Sequence, residues 1–245
     1  MSKMLARDLN TNVYAVDLRN HGDSPHDARH DYSAMADDIE GFIAEHKLET
    51  PTLIGHSMGA KTAMVVALRK PDLVSSIIPV DNAPIDAALQ GYFGKYMQGM
   101  KKIEAARVKS HKEADAIFQE YEKDLPIRQF ILTNLTHTND PETQEQYFKF
   151  RIPLSYLAAA LDKMGDFPFK DPDTTRFVKP TLFVRGTKSH YVADEALPVI
   201  GQFFPRFELV DIDCGHWVIA EEPEKFRKDI ISPMPYWHIE LWADC

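Results

Sequence analysis

Residues 51–69 have the sequence PTLIGHSMGAKTAMVVALR. An apolar run of β-preferring residues leads into Gly55-His56-Ser57-Met58-Gly59, and a nearly all-apolar segment follows from Ala60 to Arg69. This pattern predicts a buried strand, a sharp turn and a helix. Gly55 and Gly59 lack the Cβ atoms that would collide across such a turn. We therefore expect the turn to hold the Ser57 hydroxyl out above the end of the strand, where it can act as a nucleophile.

Strand and helix patterns alternate on both sides of this turn. Upstream, an apolar run at 11–18 precedes an amphipathic helical pattern at 32–46. The alternation predicts an α/β fold with a mostly parallel sheet flanked by helices. The predicted strands are 11–18, 51–55, 74–80, 181–185 and 208–212, and the predicted helices after the turn are 60–69, 193–203 and 223–230.

The middle of the chain follows a different pattern. From about residue 85 to 170 the sequence is polar, helical and rich in Met, Phe, Tyr and Gln, and it suggests no strand. We expect a helical lid inserted into a single domain that spans residues 1–245. The tail, residues 232–245, continues no pattern that we recognise.

Composition narrows the classes of function. The net charge of −9 argues against nucleic-acid binding, which needs clustered Lys and Arg. The two cysteines, Cys214 and Cys245, provide no disulfide framework and no CxxC metal or redox motif. No apolar run is long enough to span a bilayer, and no targeting segment is recognisable. Together these features argue against a nucleic-acid-binding protein, a disulfide-rich protein and a membrane-spanning protein.

A serine nucleophile needs a base, and the base needs an acid that orients it. His216 is the best candidate base because it lies in a turn after the last predicted strand, near the end of the chain. The residues that follow strand 181–185 contain no carboxylate, and Asp194 comes late, at a predicted helix start. Asp81 directly follows the strand next to the nucleophile strand. We therefore favour Asp81 over Asp194 as the acid.

Three neighbours of these residues have predicted roles. The N–H of Met58 lies at the start of the helix after Ser57, where it can stabilise an oxyanion. His56 and Trp217, which stand beside the nucleophile and the base, are candidates to line the substrate pocket.

Five motifs occur together along the chain: DLRNHGDSP at 17–25, GHSMG at 55–59, VDNAP at 80–84, FVRG at 183–186 and GHW at 215–217. Taken together, they resemble one branch of the α/β-hydrolases: the mitochondrial α/β-hydrolase-domain proteins, small bacterial esterases and yeast ethanol acetyltransferases. The resemblance runs from about Met4 to Ile231. It implies that Ser57, Asp81 and His216 are nucleophile, acid and base, and it implies a mitochondrial location, with the cytoplasm as the alternative.

Members of this branch have earlier strands and a His-Gly loop that supplies a second oxyanion N–H, and this chain has no counterpart of them. We expect a strand to be missing between the strand at Val13 and the strand at Leu53, with backbone groups left unpaired. We hypothesise that the sequence is an incomplete gene model, a splice product or a fragment.

The resulting functional prediction is a serine hydrolase that cleaves carboxylic esters or thioesters through an acyl-enzyme. Its substrate would be a small-molecule ester or an acyl-CoA, and this mechanism requires no cofactor and no metal. One alternative is an alcohol acetyltransferase, which makes acetate esters from acetyl-CoA and ethanol. Another is an inactive scaffold or binding protein.

Overall fold

The computed structural model describes residues 1–87, 92–232 and 239–244, the last of these as backbone. The chain divides into two compact units. The larger unit contains the main sheet and comprises Met1–Leu18, Asp31–Asp86 and Asp166–Cys245. The smaller unit comprises Arg19–His30 and Ala87–Gly165.

Helices and strands alternate through most of the larger unit. Its strands are β1 (Tyr14–Asp17), β2 (Thr52–His56), β3 (Ser76–Val80), β6 (Thr181–Gly186), β7 (Phe207–Ile212) and β8 (Ile239–Asp244). Its α-helices are α1 (Ser2–Leu9), α2 (Tyr32–Glu45), α3 (Met58–Arg69), α8 (Leu197–Phe203), α9 (Val218–Glu221) and α10 (Pro223–Ile231). The smaller unit contains α4 (Tyr92–Ala106), α5 (His111–Phe118), α6 (Leu125–Leu132), β4 (Leu135–Asn139), β5 (Gln146–Phe150) and α7 (Leu154–Ala160).

The main sheet has the strand order β1-β8-β2-β3-β6-β7, and every described pair of neighbours is parallel. All residues of β2 and β3 are buried, as expected for strands covered on both faces. Because the strands are parallel, their carboxyl ends meet at one edge of the sheet. The expected α/β architecture, a parallel sheet flanked by helices, is confirmed.

Helix α3 follows β2 without a loop and packs on β2, β3 and α2. Its residues Gly59 to Leu68 are all buried, which explains why the segment is nearly all apolar, with Lys61 and Thr62 as its polar residues. Helices α1 and α10 contact each other, and their side chains Leu5 and Phe226 join the strand residues in the sheet core. The packing of α3 on β2 and β3 fixes the position of the turn between β2 and α3.

The gap predicted between β1 and β2 is occupied. Strand β8, from the tail in which we recognised no pattern, lies there and pairs with both neighbours. Ala243, for example, is opposite Val16 on β1 and Gly55 on β2. The expectation of unpaired backbone groups at this place was wrong, because an extended segment from the other end of the chain supplies the ladder. Its register with β2 shifts once, between Thr52 and Leu53.

The smaller unit differs from the expected strand-free segment. Besides helices α4 to α7 it contains an antiparallel hairpin, in which Leu135 pairs with Phe150 and Asn139 with Gln146. The Asp140 carboxylate accepts hydrogen bonds from the N–H groups of Glu142 and Thr143 and so stabilises the turn. The unit has its own core, centred on Ile103, Phe118, Phe148, Phe150 and Leu154.

Within the part of the chain that the structure describes, no helix combines the length and apolar character needed to cross a membrane. Among the same residues, no group of three or more His, Cys, Asp and Glu side chains is arranged to hold a metal ion.

The place of β8 in the sheet can be tested with Ala243→Pro. Proline removes the backbone N–H of a strand that has a neighbour on each side, so we expect the free energy of unfolding to fall by about 2 kcal/mol or more. Ala243→Ser keeps the N–H and serves as the matched control. Urea unfolding measures both variants, and equal stabilities would contradict the insertion of β8 between β1 and β2.

Candidate active site

Ser57 lies at a tight turn between β2 and α3. Its backbone has φ 54° and ψ −112°, a conformation that non-glycine residues rarely adopt. The Ser57 N–H donates to the Val80 carbonyl at 2.9 Å, which ties the turn to the end of β3. A Cβ at Gly55 would lie 2.1 Å from the carbonyl oxygen of Gly59, so the turn can close only with glycine there.

His216 connects Ser57 with Asp81. Its Nε2 lies 3.0 Å from Ser57 Oγ, and its Nδ1 lies 2.7 Å from Asp81 Oδ2. The loop that carries His216 is held by Glu221, whose carboxylate accepts hydrogen bonds from the N–H of Gly215 at 2.8 Å and of Trp217 at 3.2 Å. The three residues predicted as nucleophile, base and acid are therefore in one hydrogen-bonded series.

Asp81 is fully buried at the end of β3. Its N–H donates to the Val184 carbonyl on β6, and its Oδ1 accepts the N–H of Gly186 at 3.0 Å. Glycine is needed at 186 because a Cβ there would lie 2.2 Å from the Gly215 carbonyl oxygen. With Oδ1 bound to a backbone N–H, Oδ2 is directed to His216, so both carboxylate oxygens have defined partners.

Asp194, the alternative acid, has a different partner. Its Oδ1 accepts a hydrogen bond from Arg185 Nη1 at 2.6 Å. Arg185 also donates two hydrogen bonds to Asp211 and lowers the pKa of that carboxyl group. Asp194 is largely exposed and belongs to this ionic cluster, whereas the carboxylate that accepts a hydrogen bond from His216 Nδ1 is that of Asp81.

His56 and Trp217 both lie against His216. The His56 side chain is buried, and its Nε2 is 2.7 Å from the His216 carbonyl oxygen. Because a carbonyl oxygen can only accept, His56 Nε2 carries the proton. The Trp217 ring meets the His216 ring edge-on at a centroid distance of 5.6 Å. Their role in lining a substrate pocket stays a prediction.

Met58 is the first residue of α3, so its N–H has no acceptor within the helix. This N–H and the positive end of the helix dipole lie at the residue that follows Ser57. The structure thus places the predicted oxyanion donor at a helix start.

Sequence reasoning missed three residues that support this arrangement. Asn82 Nδ2 donates to the Ser57 carbonyl at 3.0 Å, Glu221 holds the His216 loop, and the Tyr191 ring stacks on His216. Asn82 follows the candidate acid directly, and this adjacency was the one available signal. Tyr191 acts across two loops, and nothing local in the sequence marks it. Glu221, at the end of α9, binds backbone N–H groups four and six residues earlier, and a single glutamate at that spacing is not a distinctive signal.

Cys214 precedes this loop but is unsuited to nucleophilic chemistry. The side chain is buried, and burial raises the pKa of its thiol to about 11. Since the thiolate is the nucleophilic form, Cys214 does not compete with Ser57 near neutral pH.

The family model described as alpha/beta hydrolase fold matches residues 2–223. The Saccharomyces cerevisiae protein named "Probable alcohol acetyltransferase" is 40% identical over 244 residues, which cover 95% of this chain and 70% of that protein. The mouse (Mus musculus) sn-1-specific diacylglycerol lipase ABHD11 is 34% identical over 238 residues, covering 95% of this chain and 74% of the lipase. Among solved structures, a marine microorganism esterase is similar with a TM-score of 0.80 and 30% identity, covering 88% of this chain and 82% of that one.

The family model spans most of the chain, and the parallel sheet and the turn at Ser57 described above agree with an α/β-hydrolase fold. The chain belongs to the α/β-hydrolase family. Its relatives include hydrolases and acyltransferases, so the family supports an enzyme of one of these two kinds.

His56 predicts a measurable dependence of stability on pH. Burial, and secondarily the charge of His216, lowers the pKa of His56 from 6.5 to about 4. Between these pH values the unfolded chain binds a proton that the folded chain does not, so folding weakens as the pH falls from 6.5 to 4. This contribution amounts to about 3 kcal/mol.

We expect His56→Gln to remove that part of the pH dependence, since glutamine can still donate to the His216 carbonyl but does not titrate. Urea unfolding of both proteins at a series of pH values measures it, and stabilities at pH 8 give the cost of the substitution itself, with both side chains neutral there. Parallel stability curves below pH 6.5 would contradict a buried, neutral His56.

Proposed function

We propose that this protein is a serine hydrolase that acts on carboxylic esters or thioesters through an acyl-enzyme on Ser57. The observation that carries the proposal is the relay from Ser57 Oγ to His216 Nε2, at 3.0 Å, and from His216 Nδ1 to Asp81 Oδ2, at 2.7 Å. A nucleophile, a base and an orienting acid in this order are the arrangement by which a neutral hydroxyl becomes reactive.

Acylation begins with neutral His216. Since Asp81 Oδ2 accepts from Nδ1, the ring proton is on Nδ1 and the Nε2 lone pair is directed to Ser57. Ser57 Oγ attacks the substrate carbonyl carbon while His216 Nε2 takes the hydroxyl proton. The resulting imidazolium is stabilised by the Asp81 carboxylate. His216 then gives the proton to the leaving alcohol or thiol, and the acyl group stays on Ser57.

Deacylation repeats these steps with a second nucleophile. His216 takes a proton from water, whose oxygen attacks the acyl carbon. The bond between the acyl carbon and Ser57 Oγ then breaks, His216 returns the proton to Oγ, and the acid is released with Ser57 regenerated. If an alcohol takes the place of water, the product is a new ester. Both outcomes use the same three side chains, so the alternatives differ only in which molecule reaches the acyl-enzyme.

The Met58 N–H supports stabilisation of the tetrahedral oxyanion. It is presented by the start of a twelve-residue helix, and the helix dipole adds to its positive potential. One such donor contributes about a hundredfold to a thousandfold in rate. The turn at Ser57 holds this N–H and Oγ on adjacent residues, so the donor needs no rearrangement during the reaction.

A second candidate function is alcohol acetylation with acetyl-CoA as donor. It is favoured by the relative named as an alcohol acetyltransferase, which is 40% identical over nearly the whole chain. The diacylglycerol lipase and esterase relatives favour hydrolysis.

The roles of the two candidate acids can be separated with Asp81→Asn and Asp194→Asn. Asparagine at 81 keeps the size of the side chain but loses the charge that stabilises the imidazolium. We therefore expect kcat to fall by about a thousandfold to ten-thousandfold. Asp194→Asn is the matched control, and we expect its kcat to stay within about twofold because it only weakens an exposed ion pair. Turnover of a p-nitrophenyl ester gives both values, and a larger loss in Asp194→Asn would reverse the assignment.

The proposed nucleophile is tested with a fluorophosphonate probe, which forms a covalent bond with activated serines. We expect labelling of the full chain and none in Ser57→Ala. A well-folded chain that takes up no label would overturn the proposed function and favour a binding or scaffold protein.

The two enzymatic outcomes are separated by product analysis. The chain is supplied with a p-nitrophenyl acetate or acetyl-CoA donor, with and without ethanol, and acetate and ethyl acetate are quantified. Acetate as the main product in both conditions is the result expected for the hydrolase. Ethyl acetate as the main product in ethanol would instead identify the acyltransferase.

A further inference from the structure

The aromatic side chain of Tyr191 stacks on the candidate base, His216. Its ring lies over the His216 ring at a centroid distance of 4.1 Å and an interplanar angle of 27°, a stacked arrangement. Tyr191 comes from the loop after β6, whose first residues, 187–190, contain no carboxylate. This loop contributes an aromatic ring in its place.

The backbone keeps the two rings together. The N–H of Thr187 donates to the Ile212 carbonyl and that of Lys188 to the Cys214 carbonyl, both at 2.9 Å. These bonds join the loop after β6 to the loop that carries His216. In addition, the Tyr191 N–H donates to Ser189 Oγ at 3.3 Å. The contact therefore belongs to two connected loops.

The geometry fits a charged imidazole better than a neutral one. Neutral aromatic pairs prefer offset or edge-on contacts with centroids about 4.5–7 Å apart, because the electron-rich faces repel. A cation over the face of a tyrosine is attracted by the same ring quadrupole. His216 becomes a cation only after it accepts a proton, so this stacking is strongest in the protonated state.

The other groups around His216 act differently. Asp81 accepts its Nδ1–H, Ser57 faces its Nε2, and Trp217 meets it edge-on. His56, whose ring centroid is 4.8 Å away, is buried and neutral above about pH 4. The Glu221 carboxylate binds the backbone on either side of His216. Among these groups, Tyr191 is the one whose ring face covers the imidazole in a near-parallel stack.

We propose that Tyr191 is a positioning residue that stabilises the protonated form of His216 through its ring face. The inference rests on the proposed function, in which the Ser57 hydroxyl proton moves to His216 Nε2 and later to the leaving group. The tyrosine gains and loses no proton; it lowers the free energy of the state in which His216 holds one.

The test compares Tyr191→Phe, which keeps the ring, with Tyr191→Leu and Tyr191→Met, which remove it and retain apolar volume. The rate constant of fluorophosphonate labelling is measured for each full-length variant from about pH 5 to about pH 9. We expect the ring-free variants to react about three- to thirtyfold more slowly at the plateau. The acidic limb of their pH–rate profile, where labelling slows as the pH falls, should move to lower pH by roughly half a unit to one and a half units, because His216 is then harder to protonate. Tyr191→Phe should retain the acidic limb of the wild-type profile.

A second measurement does not depend on activity. The titration of the His216 imidazole is followed by NMR in Ser57→Ala, with and without Tyr191→Leu, and the same downward shift is expected. Slower labelling with an unchanged limb and an unchanged titration would show that Tyr191 only packs, which overturns the inference and leaves the proposed function intact. If the NMR shift is present but the wild-type chain takes up no label at Ser57, the proposed function fails while the effect of Tyr191 on His216 stands.

Discussion

The close backbone approach at Ser57 is the constraint on which the site depends. Gly55 and Gly59 come nearer to each other than any Cβ would allow, and Ser57 is held in a strained conformation between them. Packing on both sides of the turn compensates for the strain at Ser57: β2 is buried along its length, and α3 is buried on all sides. Such strain persists only where packing overdetermines the turn. The same turn aligns the serine hydroxyl with His216 and puts the first N–H of α3 beside it.

The site is assembled from the carboxyl ends of parallel strands. Ser57 follows β2, Asp81 follows β3, and His216 follows β7, while the Gly186 N–H at the end of β6 donates to the Asp81 carboxylate. Each of these positions had a local signal, a turn-forming motif after an apolar run, which explains why Ser57, Asp81 and His216 could all be selected from the sequence. The preference for Asp81 over Asp194 rested on the order of strands. In the structure, Asp194 is bound by Arg185 and not by His216.

Features that depend on distant pairing could not be predicted. Strand β8 is six residues long and pairs with segments more than 180 positions earlier in the chain, so nothing around it indicates its partners. The match to the family model ends at residue 223, before this strand begins. The β4–β5 hairpin was missed because its residues alternate only weakly between buried and exposed. Tyr191 was missed because its contact with His216 crosses between two loops. Glu221 was missed because a single glutamate that binds backbone N–H groups four and six residues earlier forms no distinctive sequence pattern. The helix and strand patterns of the larger unit, by contrast, follow from local periodicity.

The central claim is that Ser57 carries the acyl group during turnover, and trapping that intermediate tests it most directly. The chain is mixed rapidly with p-nitrophenyl acetate and quenched in acid, and intact-protein and peptide mass spectrometry follow the adduct. The account predicts an early burst of p-nitrophenol close to the enzyme concentration, together with one acetyl group on the peptide that contains Ser57. Turnover with no acetylated protein at any time, or with the acetyl group on another residue, would contradict it.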